Sequence, residues 1–115
     1  MQLFSWEKVK KEVLNDKLAR KVISGEKITV AQIFLAKDCV VPFHHHENEQ
    51  ISSVLAGALS FELEGREIVV RAGEVLLIPS NVPHHVVALE ESLALDVFSP
   101  IRADWLTGQD DYLRR

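Results

Sequence analysis

Three consecutive histidines stand in the segment Val41-Pro42-Phe43-His44-His45-His46-Glu47-Asn48-Glu49-Gln50-Ile51. On a β-strand, side chains two residues apart point to the same face. We therefore expect His44 and His46 to project together and His45 to point away from them. Two imidazoles on one face form a chelating pair for a divalent ion.

A second histidine segment follows downstream, Ile78-Pro79-Ser80-Asn81-Val82-Pro83-His84-His85. Its two prolines restrict the backbone just before His84, so this imidazole would be placed rigidly. A histidine triplet on a surface loop would bind metal only adventitiously, and a lone buried histidine is commonly just hydrogen-bonded. Two histidine segments in one chain, the second after a run from a glycine to a proline, favour a metal site over both alternatives.

The composition is that of one ordinary globular domain. The chain has 115 residues, of which 47% are hydrophobic and 26% charged, a length that accommodates one domain. The 13 Lys and Arg against 17 Asp and Glu give a net charge of −4. Because the chain also lacks a basic run, nucleic acid and anionic lipid are poor candidates as partners.

Cysteine content and the N-terminus bear on the cellular compartment. The single cysteine, Cys39, excludes an internal disulfide framework and a cysteine-rich zinc site, and it fits a reducing compartment. The first residues do not have the pattern of a signal peptide, and no stretch approaches the ~18 apolar residues of a membrane span. We therefore expect a cytoplasmic protein with no membrane partner.

From about Lys17 onward, apolar residues recur with the period of two that is typical of β-strands. Residues 28–35 alternate in this way with both faces largely apolar. Two further runs flank Glu64-Gly65-Arg66, which predicts a hairpin turn. Glycines and prolines separate the short runs, and this punctuation predicts an all-β sandwich or barrel.

The two ends of the chain depart from this pattern. Trp6, Val9 and Val13 have helical spacing and predict one or two helical turns, whereas the polar residues after Trp105 predict a loosely held tail. We expect a single domain over residues 1–115, with an N-terminal arm at 1–16, a core at about 17–105 and the tail at 106–115. Such an arm commonly covers a sheet edge of a second copy, which favours a homodimer.

The last apolar run, residues 93–98, divides into two faces. Leu93, Leu95 and Val97 form one, which we expect to face the core. Asp96 and Phe98 lie on the other, which would face solvent or a pocket.

In an enclosed barrel, we expect this second face to line the pocket. Asp96 could then act as a general acid or base if burial raises its pKa, and Arg102 could hold a substrate carboxylate by a bidentate fork. The alternative is a salt bridge between Asp96 and Arg102 that only holds the end of the strand.

The two histidine segments resemble the paired motifs of the cupin superfamily. The first motif is carried by His44, His46, Gln50 and Gly57, and the second by Gly73, Pro79, Asn81 and His84. In addition to the short N-terminal helical arm predicted from spacing, the resemblance implies a double-stranded β-helix, or jelly-roll, barrel. It also implies one divalent transition metal inside the barrel, which could be zinc, nickel, iron, manganese or copper, held by His44, His46, Gln50 and His84.

The segment from Asp96 to Trp105 is similar to the ending of small single-domain cupins that act in pectin and alginate breakdown. Those cupins convert 4,5-unsaturated monouronates to linear ketonized acids, and most are dimers. The resemblance implies a catalytic role for Asp96 and Arg102 and a substrate-binding role for Phe98 and Arg102. The partner it implies is a small anionic molecule of the sugar-acid type.

Gln50 stands where many cupins have glutamate. Three neutral imidazoles and a neutral amide would leave a divalent ion its full charge, which favours an anionic ligand. Two other functions use the same residues. One is lyase or oxygen-dependent dioxygenase chemistry, and the other is binding of a small acid without catalysis, since a fold does not determine function.

Overall fold

The computed structural model describes residues 1–114, most of which lie in ten antiparallel β-strands. The strands are β1 (Glu12–Asn15), β2 (Leu18–Ser24), β3 (Thr29–Leu35), β4 (Val40–His44), β5 (Glu49–Ala56), β6 (Ala58–Leu63), β7 (Arg66–Arg71), β8 (Val75–Ile78), β9 (His84–Ala88) and β10 (Ser92–Ser99). The helical elements are two 3-10 turns, Trp6–Lys8 and Asp111–Leu113, and the short helix α1 (Ala103–Leu106). No helix within residues 1–114 is long and apolar enough to cross a membrane.

The strands form two sheets in a jelly-roll arrangement, which confirms the predicted all-β fold class. One sheet has the order β1-β2-β3-β10-β5-β8 and the other the order β4-β9-β6-β7. The jelly roll consists of the eight strands β3 to β10. Four of them, β3, β10, β5 and β8, lie in the larger sheet, and the other four form the smaller sheet. The chain crosses repeatedly from one sheet to the other, as in other jelly rolls. The core lies between the sheets and includes Val54, Leu59, Phe61, Ile78 and Val86.

Local turn chemistry sets the connection between β6 and β7. Glu64 and Gly65 both have positive φ, 53° and 73°, which is the conformation of a two-residue type I′ hairpin turn. This turn matches the twist of the paired strands, so the register Leu63 opposite Arg66 follows directly from it. The predicted hairpin is confirmed.

The glycine of the first motif lies where β5 passes into β6. Gly57 has φ +85°, and a Cβ atom there would lie 2.3 Å from Ser92 Oγ and 2.4 Å from the carbonyl oxygen of Glu91. Only glycine fits this position, because it tolerates positive φ and leaves room for the neighbouring chain. The close approach allows Ser92 Oγ to accept a hydrogen bond from the Ala58 backbone N–H at 3.1 Å.

The inward face of β10 differs from the predicted one. Ala94 and Phe98 are each 1% exposed, whereas Leu93, Leu95 and Val97 are only partly buried. The prediction that Leu93, Leu95 and Val97 face the core is therefore wrong.

An apolar outer surface on the larger sheet explains this error. Val97 lies opposite Val30 on one side and Ile51 on the other, and Leu93 lies opposite Phe34. Because both faces of this sheet are apolar, hydrophobicity alone does not show which of them is inside.

The N-terminal helix prediction is confirmed for one 3-10 turn and wrong for Val13. Val13 lies in β1, which pairs with β2 in the register Val13 opposite Ala19, and its side chain is 71% exposed. Strand pairing supplies backbone hydrogen bonds that an isolated two-turn helix forms only at a nucleation cost.

The C-terminal segment packs into the open end of the barrel, so the prediction of a loosely held tail is wrong for residues 110–113. Asp110 is 0% and Leu113 8% exposed. Arg20 Nη2 donates to Asp110 Oδ2 at 2.6 Å, and Asn15 Nδ2 donates to the carbonyl oxygen of Leu113 at 3.1 Å. The polar composition of the tail suggested solvent exposure, but Asp110 is buried together with a cation from β2.

Candidate metal centre and adjoining cavity

Three histidines meet at one end of the barrel interior. His44 is the last residue of β4 and His84 the first of β9, and the two are paired in register. His46 lies in the connection to β5 and not on a strand, yet one ring nitrogen from each of His44, His46 and His84 lies within 4.8 Å of the others. The structure therefore brings together the three histidines that the motifs single out.

Backbone carbonyl groups orient all three rings in the same way. Nδ1 of His44 donates to the carbonyl oxygen of Pro42 at 2.8 Å, Nδ1 of His46 to that of Asn48 at 3.0 Å, and Nδ1 of His84 to that of Val82 at 2.8 Å. A histidine that donates through Nδ1 keeps the lone pair on Nε2 for a metal ion.

The cluster is held in the neutral state that metal binding requires. Burial, reinforced by the neighbouring His84, lowers the pKa of His44 to about 3. Burial and the charge of Arg102 lower the pKa of His46 to about 4, and burial also lowers the pKa of His84.

Gln50 of β5 lies beside the three histidines. Its Oε1 lies 3.1 Å from Nε2 of His46, while its Nε2 donates to Ser52 Oγ at 2.9 Å. Because Nδ1 of His46 carries the proton, the lone pair of its Nε2 faces a lone pair of Gln50 Oε1. A cation bound by both atoms would relieve this unfavourable contact. Nε2 of His84 is buried and has no hydrogen-bond partner within residues 1–114. The donors present therefore fit a divalent transition metal.

The two remaining histidines lie outside the cluster, as expected. His45 is exposed. His85 packs against Phe43, with ring centroids 5.1 Å apart.

A cavity of about 60 Å³ adjoins the cluster, and its lining includes His44, Gln50, His84, Asp96, Phe98 and Arg102. This volume holds a few water molecules and is far below the ~300 Å³ or more of typical ligand pockets. The ring of Tyr112 stacks on His44 with centroids 4.5 Å apart. The C-terminal segment thus occupies space that a larger molecule would need.

Asp96 is a carboxyl group of this cavity with a raised pKa. Its Oδ1 atom is buried and has no hydrogen-bond partner within residues 1–114. Burial raises the pKa of Asp96 to about 6, against the opposing effects of a hydrogen bond from Ser52 and the charge of Arg102. Ser52 lies directly opposite Asp96 in register, so a polar chain runs from Gln50 through Ser52 to this carboxyl group.

Arg102 lines the same cavity but does not pair with Asp96. Its Nε and Nη2 donate to the two carboxylate oxygens of Asp104, at 2.9 and 2.7 Å, and Nη2 also donates to the Tyr112 hydroxyl at 2.7 Å. The guanidinium lies over the rings of Phe98 and Trp105, 4.8 and 4.4 Å from their centroids. The alternative of an Asp96–Arg102 salt bridge is therefore wrong.

Several residues of the cavity carry no signal in the sequence. Ser52 is an ordinary strand residue, and Tyr112 lies in a segment whose polarity predicted exposure. Trp105 and Tyr112 reach the cavity only because the chain turns back over the barrel after β10. Pattern reasoning has no means of finding such contacts.

The pKa of Asp96 makes stability depend on pH. In the metal-free protein, we expect Asp96→Asn to increase stability near pH 7.5 but not near pH 4. Between the usual value of 3.8 and about 6, the folded state holds a proton that the unfolded chain has lost, so the free energy of unfolding decreases as pH rises. Full ionisation costs the wild type at most about 3 kcal/mol, and asparagine avoids this cost.

Urea denaturation of both proteins at the two pH values, with a chelator present, measures this difference. The histidine cluster is common to both proteins, so its titration cancels in the comparison. A stability difference that is the same at both pH values would contradict the assignment.

Comparisons with known proteins identify a family and a relative to which this chain is similar. A family model described as Cupin domain matches residues 32–99. The pectin degradation protein KdgF of Dickeya dadantii (strain 3937) is 35% identical over 98 residues, which cover 83% of this chain and 89% of that protein.

Two solved structures superpose closely. KdgF from Halomonas sp. has a TM-score of 0.84 and 29% sequence identity, covering 90% of this chain and 99% of that chain. An RmlC-like cupin from Shewanella frigidimarina has a TM-score of 0.84 and 26% identity, covering 91% and 96%. The jelly-roll topology, the family match and the identity over most of both chains show that this chain belongs to the cupin family.

Proposed function

We propose that this protein is a metal-dependent enzyme that converts 4,5-unsaturated monouronates to linear ketonized acids. The observation that carries the proposal is that histidines of the cluster, a carboxyl group with a pKa of about 6 and a buried guanidinium line one cavity. The relative named as a pectin degradation protein supports a sugar acid as the substrate class.

We assign the metal site to His44, His46, Gln50 and His84. When bound, a divalent ion such as zinc, nickel, iron, manganese or copper supplies Lewis-acid polarisation of a substrate oxygen. Because all four ligands are neutral, the site retains the charge of the ion and favours an anionic substrate.

The reaction is an isomerisation that needs a group able to accept and return a proton. Opening the ring removes the proton of the anomeric hydroxyl, forms the aldehyde and breaks the bond between C1 and the ring oxygen. The resulting enolate takes a proton at C4 and becomes a ketone at C5. Asp96 has a pKa of about 6, close enough to neutrality for its carboxyl group to carry out both transfers.

Arg102 and Phe98 bind the substrate in this scheme. A substrate carboxylate replaces the Tyr112 hydroxyl as a partner of Arg102 Nη2, because a charged acceptor forms the stronger hydrogen bond. The ring of Phe98, which is 1% exposed, provides an apolar surface beside the guanidinium. Since the cavity holds about 60 Å³, the displaced Tyr112 ring makes the room that the sugar requires.

The ultraviolet absorbance of the conjugated double bond tests the function. Metal-loaded protein is expected to remove the absorbance of 4,5-unsaturated monouronates, because C4 becomes saturated in the product. Protein stripped with a chelator serves as the matched control and is expected to leave the absorbance unchanged. An unchanged trace with loaded protein, for both pectin-derived and alginate-derived monomers, rules the proposal out.

We also propose that the protein is a cytoplasmic homodimer. The outer face of the larger sheet is apolar, with Ile51 42%, Val75 60% and Leu77 55% exposed, and a second copy would bury this surface. The buried free thiol of Cys39 fits a reducing compartment.

A further inference from the structure

Arg20 is a second buried cation of the cavity, and most of its donors are unused. Its guanidinium is 1% exposed and lines the cavity. Among residues 1–114, only Nη2 has hydrogen-bond partners, Asp110 Oδ2 at 2.6 Å and Glu12 Oε2 at 3.4 Å. Nε and Nη1 are buried without a hydrogen-bond partner within residues 1–114.

Trp105 adds another unused donor at the same place. Its indole Nε1 is buried without a partner among the described residues, and its side chain lines the cavity. The guanidinium of Arg20 lies 4.3 Å from the indole centroid and that of Arg102 lies 4.4 Å from it. The indole ring therefore contacts both guanidinium groups.

These unsatisfied groups share one chemical character. Nε and Nη1 of Arg20 and Nε1 of Trp105 are all donors, and leaving buried donors unpaired is unfavourable. The carboxylate of Asp110 already balances the charge of Arg20. The missing partner is therefore a set of neutral oxygen acceptors and not a further anion.

We propose that Arg20 and Trp105 form a second subsite that binds hydroxyl oxygens of the sugar acid, apart from the carboxylate held by Arg102. This subsite rests on the proposed sugar-acid substrate. It gives the cavity two kinds of recognition: Arg102 selects an acid, and Arg20 with Trp105 selects a polyhydroxylated ring over an acid without hydroxyl groups.

Binding of two non-reacting acids to the metal-loaded protein tests the subsite. The probes are galacturonate and tetrahydropyran-2-carboxylate, which has the same ring and carboxylate but no hydroxyl groups. Calorimetry with wild-type protein is expected to show at least about tenfold tighter binding of galacturonate, since hydrogen bonds to a charged group carry this discrimination. Equal affinities for the two acids would overturn the proposal.

Two substitutions at Arg20 and one at Trp105 locate the discrimination. Arg20→Lys and Arg20→Gln are expected to weaken galacturonate binding about tenfold and to leave binding of the hydroxyl-free acid unchanged. Trp105→Phe keeps an aromatic ring and removes the N–H, so it is expected to reduce the discrimination by a smaller factor. If circular dichroism shows that the Arg20 variants do not fold, the Trp105→Phe variant alone tests the subsite.

Asp110→Asn is the matched control for a purely structural role. This variant breaks the ion pair with Arg20 but keeps the guanidinium, so we expect it to preserve the discrimination. If Arg20 serves only to hold the C-terminal segment, Asp110→Asn and the Arg20 variants will weaken both acids alike, and the subsite is disproved. Discrimination by Arg20 without turnover of unsaturated monouronates would remove the proposed reaction and leave the subsite standing.

Discussion

Asp96→Asn is expected to lower the turnover of 4,5-unsaturated monouronates about 10³-fold, within the range that general acid–base groups contribute. Asparagine has nearly the shape of aspartate but cannot accept a proton from the anomeric hydroxyl or return one at C4. Because Asp96 is not in the assigned ligand set, one metal ion per chain is expected to remain bound. The rate of absorbance loss and the metal content by atomic emission spectrometry are the two measurements.

Ser52→Ala provides a graded control for the same assignment. The hydrogen bond from Ser52 lowers the pKa of Asp96, so its removal raises that pKa while the carboxylate remains. Since the proposed first step needs ionised Asp96, the acid limb of the kcat profile should move to higher pH. Asp96→Asn protein that keeps a tenth or more of wild-type turnover would exclude a proton-transfer role.

His84→Ala is expected to abolish stoichiometric metal binding and to lower turnover by more than about 10³-fold, because metal polarisation is worth several kcal/mol. His84 Nε2 is a buried atom without another partner in the described part of the chain, and the ring centroids of His84 and His44 are 4.2 Å apart. Removing it leaves three of the four assigned ligands.

The adjacent histidine is a matched control. His85 is partly buried and points out of the barrel against Phe43, so His85→Ala is expected to retain both metal and activity. Comparison of the two variants separates loss of a ligand from general damage to β9. A His84→Ala protein that still binds one metal ion per chain with wild-type affinity would show that the ligand set is assigned wrongly.

Local patterns were sufficient for the fold class and for the position of the histidine cluster. Period-two alternation and turn residues such as Glu64-Gly65 act through neighbouring backbone atoms, so they predict strands and hairpins without tertiary information. His44 and His84 carry the motif signal themselves. Their Nδ1 atoms bond to carbonyl groups only two residues away, so local backbone geometry orients each ring, whereas the pairing of β4 with β9 brings the two rings together.

Contacts between distant residues decided the rest of the cavity. The inward face of β10 could not be predicted, because its outward residues Leu93, Leu95 and Val97 are more apolar than the inward face that carries Asp96, and only the position of β10 between β3 and β5 settles which side is enclosed. The polar side chains of Asp110 and Tyr112 predict a solvent-exposed tail. In the structure, these side chains accept hydrogen bonds from Arg20 and Arg102, which lie outside the tail. The chain sequence thus specifies strands, turns and metal-binding motifs, whereas enclosure of the cavity depends on contacts between distant residues, such as the Arg20–Asp110 ion pair and the Arg102–Tyr112 hydrogen bond.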